Sequence, residues 1–200
     1  MQSLVTHARV FPHRLATSGH DLGGLSAGQA PEALFITCSD SRVVPALITG
    51  SRPGQLFELR TAGNIVPAYD TAAPSGEAAT IEYAVDILQV PDIIVCGHSH
   101  CGAIGALVRA EDLDPVPAVR TWLEHAAPPT RHLAPVPAHD QDEDVARPVQ
   151  RNVHAQLDRL RTYPGVTRRL AEGTLRLHGW YYEVHTGTVL AGSDRGFLPL

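Results

Sequence analysis

Ile93-Ile94-Val95-Cys96-Gly97-His98-Ser99-His100-Cys101-Gly102 is the stretch on which the fold of this chain turns. Its first four residues form an apolar run of strand length, typical of the middle of a parallel sheet. Gly97 and Gly102 bracket the turn behind it, and a helix is expected to open near Cys101. Upstream, Leu34-Phe35-Ile36-Thr37 reads as a buried strand, and Leu56-Phe57-Glu58-Leu59 as another, introduced by the turn signal Pro53-Gly54. Residues 44–49 leave room for a crossover helix between those two. Residues 75–89 predict a helix capped by Ser75, with Ile81, Ala84, Val85 and Leu88 on one face and Pro91 ending it. Downstream, a long helix carries Val153, Leu157 and Leu160 on one face and is broken at Pro164-Gly165. The tail over 174–190 alternates in places and contains Gly187, which predicts antiparallel strands at the sheet edge. Strands alternating with helices give an α/β fold: a mostly parallel central sheet flanked by helices, with an antiparallel C-terminal edge strand.

At 200 residues the chain is the size of one domain. A domain this large hides roughly 70% of its unfolded surface and needs no disulfide. We expect a single domain over 1–200, with a helical arm to about residue 28. Over about 126–147, proline, histidine and acids crowd without periodicity, which reads as an exposed loop. Net charge is −5 with histidine neutral, and all 16 lysine-or-arginine positions are arginine. The charges are dispersed with no basic stripe, so nucleic acid is not an expected partner. The first thirty residues hold no long apolar run, so neither a secretory signal nor a membrane span is expected. Three cysteines outside any disulfide framework suit a reducing compartment, and the cytoplasm is the expected location.

Two segments carry chemistry. Cys38-Ser39-Asp40-Ser41-Arg42 follows the first strand, and His98-Ser99-His100-Cys101 follows the central one. Both project from the carboxyl ends of parallel strands, where open α/β sheets place their ligands. Two thiolates and an imidazole, from Cys38, Cys101 and His98, make a zinc set with a fourth position left for water or substrate. A lone cysteine after a strand is more often a small apolar residue; the joint pattern is what raises the metal reading. Cys96, inside the apolar run, belongs to the core. His98 is preferred to His100 as ligand because positions three apart at a helix start share a face.

Cys38-Ser39-Asp40-Ser41-Arg42, Arg60-Thr61-Ala62-Gly63-Asn64 and Cys96-Gly97-His98-Ser99-His100-Cys101-Gly102-Ala103 together resemble the signature blocks of β-class carbonic anhydrases. The resemblance continues through Gly28-Gln29-Ala30-Pro31, Ile81-Glu82-Tyr83-Ala84-Val85, Asn152-Val153, Gln156 and Leu177-His178-Gly179-Trp180-Tyr181-Tyr182. It implies one Zn2+ per subunit on Cys38, His98 and Cys101, with Asp40 paired to Arg42 beside it. It also implies a narrow apolar pocket at a homodimer interface, matched by Gln29, Phe57, Ala62 and Tyr83. One branch of the family closes its site with the aspartate and carries tryptophan and glycine where this chain has Phe35 and Thr37. The open-site, plant-like branch is therefore expected. Thr61 departs from the usual asparagine, which puts local hydrogen bonding in question.

The implied reaction is the reversible hydration of carbon dioxide to bicarbonate and a proton. Two thiolates cancel the formal charge of the ion and weaken it as a Lewis acid, so Asp40 is expected to orient the attacking water while Arg42 keeps that carboxylate ionised. Gln29 would donate to the oxygen that gains charge, and Phe57 and Tyr83 would keep the site dry. Histidines 125, 132 and 139 offer a proton relay, though a solvated loop explains them as well. Two other readings use the same residues: hydrolysis of carbonyl sulfide or carbon disulfide, and a non-catalytic zinc- or bicarbonate-binding protein.

Overall fold

The sheet of this computed structural model, which describes residues 1–17, 22–125, 143–193 and 196–200, is built from β1 (Ala33–Cys38), β2 (Leu56–Thr61), β3 (Asp92–His98), β4 (Arg176–Tyr182), β5 (Val189–Ser193) and β6 (Gly196–Pro199). They lie in the order β2-β1-β3-β4-β5-β6. The pairs from β2 through β4 are parallel, and those joining β4, β5 and β6 are antiparallel. All six residues of β1 are buried, as the apolar run of a strand covered on both faces requires. Leu34, Ile36, Ile93 and Val95 face one core, while Phe35, Ile94 and Cys96 face the other.

The helices are α1 (Gln2–Thr17), α2 (Pro45–Thr49), α3 (Gly76–Glu82), α4 (Gly102–Val108), α5 (Pro117–Glu124), α6 (Glu143–Leu160) and α7 (Pro164–Ala171). Ser75 caps α3, its Oγ accepting the Ala78 N–H at 3.1 Å. This helix then widens into a π turn over Tyr83–Ile87. α6 lies across β3 and β4, and two glycines let it come close. A Cβ on Gly97 would sit 2.5 Å from Val149 Cγ1, and one on Gly179 would sit 3.0 Å from Val153 Cγ1. Val149, Val153, Leu157 and Leu160 of that helix are all buried. Among the described residues, no helix is long and apolar enough to cross a membrane.

Several local readings need correction. The tail does not begin with an antiparallel strand: β4 joins β3 in parallel, and the reversal comes one strand later. Pro164 and Gly165 open α7 as well as ending what precedes it, because proline at a first helical position gives up no hydrogen bond. α6 begins at Glu143, so the loop reading does not extend to 147; residues 126–142, with His132 and His139, lie outside the described residues. At the amino terminus α1 buries none of its residues, and a 3₁₀ turn follows at Gly23–Ala27.

Candidate metal centre

Parallel register puts Cys38, the last residue of β1, opposite Thr61, and Thr37 opposite Cys96, so β1 and β3 deliver their ends to one edge. His98 closes β3, and Cys101 is the N-cap of α4. His98 and Cys101 are thus not on one helical face: the turn over Ser99 and His100 brings Cys101 back to His98. His100 takes a left-handed conformation there, with φ +55°. Ser99 holds the turn, its N–H donating to the Tyr182 carbonyl at 2.9 Å and its Oγ accepting the Val184 N–H at 2.9 Å.

One ligand atom each from Cys38, His98 and Cys101 lies within 4.8 Å of the others, and all three residues are buried. His98 Nδ1 is 2.8 Å from the Ser99 carbonyl oxygen. A carbonyl can only accept, so Nδ1 carries the proton and Nε2 keeps its lone pair. That Nε2 is buried and has no hydrogen-bond partner among the described residues. A bare buried nitrogen beside two sulfurs is costly unless something is bound there. The donor set fits Zn2+: soft sulfur twice, imidazole once, three protein ligands in all.

The electrostatics agree. Cys38 is drawn down to about 4, first by its bond with Cys101 and then, against the opposing effect of burial, by the Gly63 N–H. Cys101 is driven up by the same bond with Cys38 and by burial. A bound dication would favour both sulfurs as thiolates. Cys96, wholly buried in the other core, is pushed up to about 12 by burial, as an inert apolar thiol should be.

Asp40 stands beside this set, its Oδ2 3.9 Å from His98 Nε2. Arg42 grips it at both oxygens, Nε to Oδ1 at 2.9 Å and Nη2 to Oδ2 at 2.7 Å, and its backbone N–H also donates to Oδ1 at 2.9 Å. Chiefly through that side-chain bond, the carboxyl is held well below the usual carboxylate range. Arg42 Nη2 further donates to the His100 carbonyl at 3.1 Å, tying the two motif loops together.

Arg60 is a site residue that residue-by-residue reading missed. Its Nη2 donates to the carbonyls of Asp40 at 2.7 Å, Val43 at 2.8 Å and Cys38 at 3.0 Å, pinning the loop that carries Asp40. At the end of a strand an arginine reads as surface charge; only the β1–β2 register reveals its target. The Thr61 departure is resolved locally, because its hydroxyl donates to the Ile65 carbonyl at 3.0 Å. Of the expected pocket residues, Phe57 and Tyr83 meet with ring centroids 6.0 Å apart. Tyr83 is 44% exposed, and Gln29 and Ala62 are exposed as well.

Fold and site define an α/β protein with a candidate metal centre, in which two cysteine sulfurs, one imidazole and an arginine-held aspartate meet at the carboxyl edge of a parallel sheet. The carbonic anhydrase family matches residues 33–189. A carbonic anhydrase of Pseudomonas aeruginosa is 50% identical over 181 residues, covering 88% of this chain and 80% of that one. The β-carbonic anhydrase CcaA has a similar structure, with a TM-score of 0.90 and 42% identity over 100% of this chain and 99% of the other. A tetrameric β-carbonic anhydrase of Sordaria macrospora superposes with a TM-score of 0.78 at 32% identity, covering 95% and 94%. The chain belongs to the carbonic anhydrase family, in its β class.

Proposed function

We propose that this protein catalyses the reversible hydration of carbon dioxide to bicarbonate and a proton, with one Zn2+ held by Cys38, His98 and Cys101. The observation that carries the reading is Asp40, fixed at both oxygens by Arg42 within 3.9 Å of the unpartnered His98 nitrogen. Zinc in such a site supplies Lewis acidity that makes water a nucleophile near neutral pH. Asp40 is the catalytic acceptor: ionised throughout the working range, it takes a hydrogen bond from the attacking water and turns a lone pair toward carbon dioxide. Arg42 keeps that carboxylate charged and oriented. With Asp40 engaged by Arg42, the site is of the open kind. Gln29 donates to the product oxygen that gains charge, while Phe57, Ala62 and Tyr83 form the dry wall.

Those pocket residues are exposed or half-buried in one protomer, so we assign the active unit as a homodimer that completes them. Support comes from the exposed apolar side chains of Val44, Leu47, Tyr83 and Ile87, and of Leu4, Val10 and Phe11 on α1. Sedimentation should find at least a dimer; an active monomer would contradict the assignment. We place the protein in the cytoplasm, in keeping with three free thiols. Stopped-flow carbon dioxide hydration on zinc-quantified protein tests the activity, and kcat/KM for carbonyl sulfide measured beside it separates hydration from hydrolysis. Zinc-loaded protein inactive from pH 6 to 9 would instead make the chain a zinc- or bicarbonate-binding module.

A further inference from the structure

The Cys38 sulfur accepts a backbone hydrogen bond from Gly63 at 3.4 Å. The segment that presents this N–H turns sharply. Gly63 has φ +71° and Asn64 φ +50°, two left-handed residues in succession, a path that glycine takes freely and asparagine takes with local support. There is little room at the turn: a Cβ on Gly63 would lie 3.3 Å from Ala103 Cβ.

What holds this segment comes from distant helices. Asn152 and Gln156 sit one turn apart on α6, 1% and 2% exposed, on the side of the helix otherwise filled by Val149, Val153 and Leu157. Asn152 Nδ2 donates to the Gly63 carbonyl at 2.9 Å. Gln156 Nε2 donates to Asn152 Oδ1 at 2.8 Å, and Gln156 Oε1 accepts the Val66 N–H at 2.9 Å. From α5, Trp122 Nε1 donates to the Ala62 carbonyl at 2.9 Å. That carbonyl belongs to the same peptide unit whose N–H points at Cys38. A donor on the oxygen draws electron density from the N–H and strengthens the bond it makes. Two buried amides on an apolar helix face are expensive as packing, and leucine would fill the space. They make sense as an orienting device.

We infer that Asn152, backed by Gln156, and Trp122 are positioning residues for the metal: they fix the two peptides on either side of Gly63 so that the Gly63 N–H is delivered to the Cys38 sulfur. The inference rests on the reading of Cys38, His98 and Cys101 as a zinc site. None of the three touches Cys38: Trp122 holds the peptide that does, through the Ala62 carbonyl, and Asn152 holds the next one, through the Gly63 carbonyl.

The test is the zinc dissociation constant, by competition with a chromophoric chelator, together with the sulfur-to-metal absorption of the Co2+-loaded protein. Asn152→Ala should weaken zinc by about 10- to 100-fold and shift the Co2+ spectrum, as loss of groups that orient a ligand does elsewhere. Trp122→Phe keeps the ring and loses the donor, and should move both readouts in the same direction by less. Leu160→Ala, a deep truncation on α6 that touches none of these bonds, should lower Tm while leaving zinc affinity and spectrum at the parent values. If Asn152→Ala does not fold, Asn152→Leu takes its place: the volume is nearly kept, and no donor remains for the Gly63 carbonyl. Parent-like affinity and spectrum in either variant overturn the role of that residue. A parent protein that binds no zinc would instead defeat the zinc reading itself.

Discussion

The two ends of the parallel sheet carry the same three side-chain types and use them differently. At the carboxyl end, Asp40 is gripped by Arg42, with His98 3.9 Å away. At the amino end of β3 and β4, Asp92 is gripped by Arg176 at 2.7 and 2.6 Å, with His178 Nε2 2.7 Å from its Oδ1. The amino-end trio lines an open cleft of about 600 Å³ whose apolar lining includes Ala33, Leu56, Ile94 and Trp180. There the histidine is spent on the carboxylate, which Arg176 also holds at both oxygens. At the carboxyl end the histidine is buried, turned by the Ser99 carbonyl, and left with a lone pair beside two sulfurs. The shared aspartate, arginine and histidine do not by themselves distinguish the two clusters. What is left unsatisfied, and how deeply it is buried, does.

The sharpest way to break this comparison is to remove a sulfur. Cys38→Ser should lose stoichiometric zinc and lower kcat/KM for carbon dioxide by about a thousandfold or more, since the Lewis acid leaves with its ligand. Zinc analysis and stopped-flow hydration on one preparation check both. A variant that keeps zinc and rate would place the metal elsewhere. Next in size is Asp40→Asn, which keeps the shape and removes the charge. Zinc content should hold while kcat/KM falls about 10²- to 10⁴-fold, the range for a lost acid–base group. Because Asp40 lies well below the usual carboxylate range, the parent's rate between pH 6 and 9 should show no step from it. A step that vanishes in the variant would reverse its assignment as a permanent anion.

Much of the carboxyl end was legible in the sequence because its signals are local. An apolar run followed by a glycine-bracketed turn located β3, and the thiols and imidazole sat directly beyond two such strands. Long-range partnership was not legible. Nothing near Arg60 announces that it donates to three carbonyls of the Cys38 loop, and nothing near Asn152 announces Gly63. Those facts depend on which strands and helices become neighbours. The direction of β4 was misread for the same reason. Its residues are partly exposed and alternate, as in an antiparallel strand, yet α6 and α7 supply the crossover that returns the chain in parallel.

The two glycines flanking the metal motif sharpen the contrast between packing and chemistry. Gly97→Ala would force a methyl to within 2.5 Å of Val149 Cγ1 and 2.8 Å of Val153 Cγ2. It should cost about 1–3 kcal/mol by overpacking, read as a lowered Tm. Gly102→Ala meets nothing within 4 Å, and stability should stay within about 0.5 kcal/mol of the parent. Equal losses at both would mean the motif tolerates no methyl for reasons other than α6.

The smallest effect belongs to the amino end. Arg176 first, and His178 after it, hold Asp92 below its ordinary value. A depressed carboxyl pKa means the unfolded chain binds the proton more readily, so the pairing stabilises the fold above the unfolded value of about 3.9 and is lost as pH falls through the lower folded value. The pair is half solvent-facing, Arg176 being 68% exposed and Asp92 20%. Asp92→Asn should therefore cost only about 0–1 kcal/mol at pH 7. Denaturant unfolding should show variant and parent converging as pH drops below about 3.9, with kcat/KM at neutral pH unchanged. Loss of hydration activity in this variant would join the two ends of the sheet functionally, and the division drawn between them would fail.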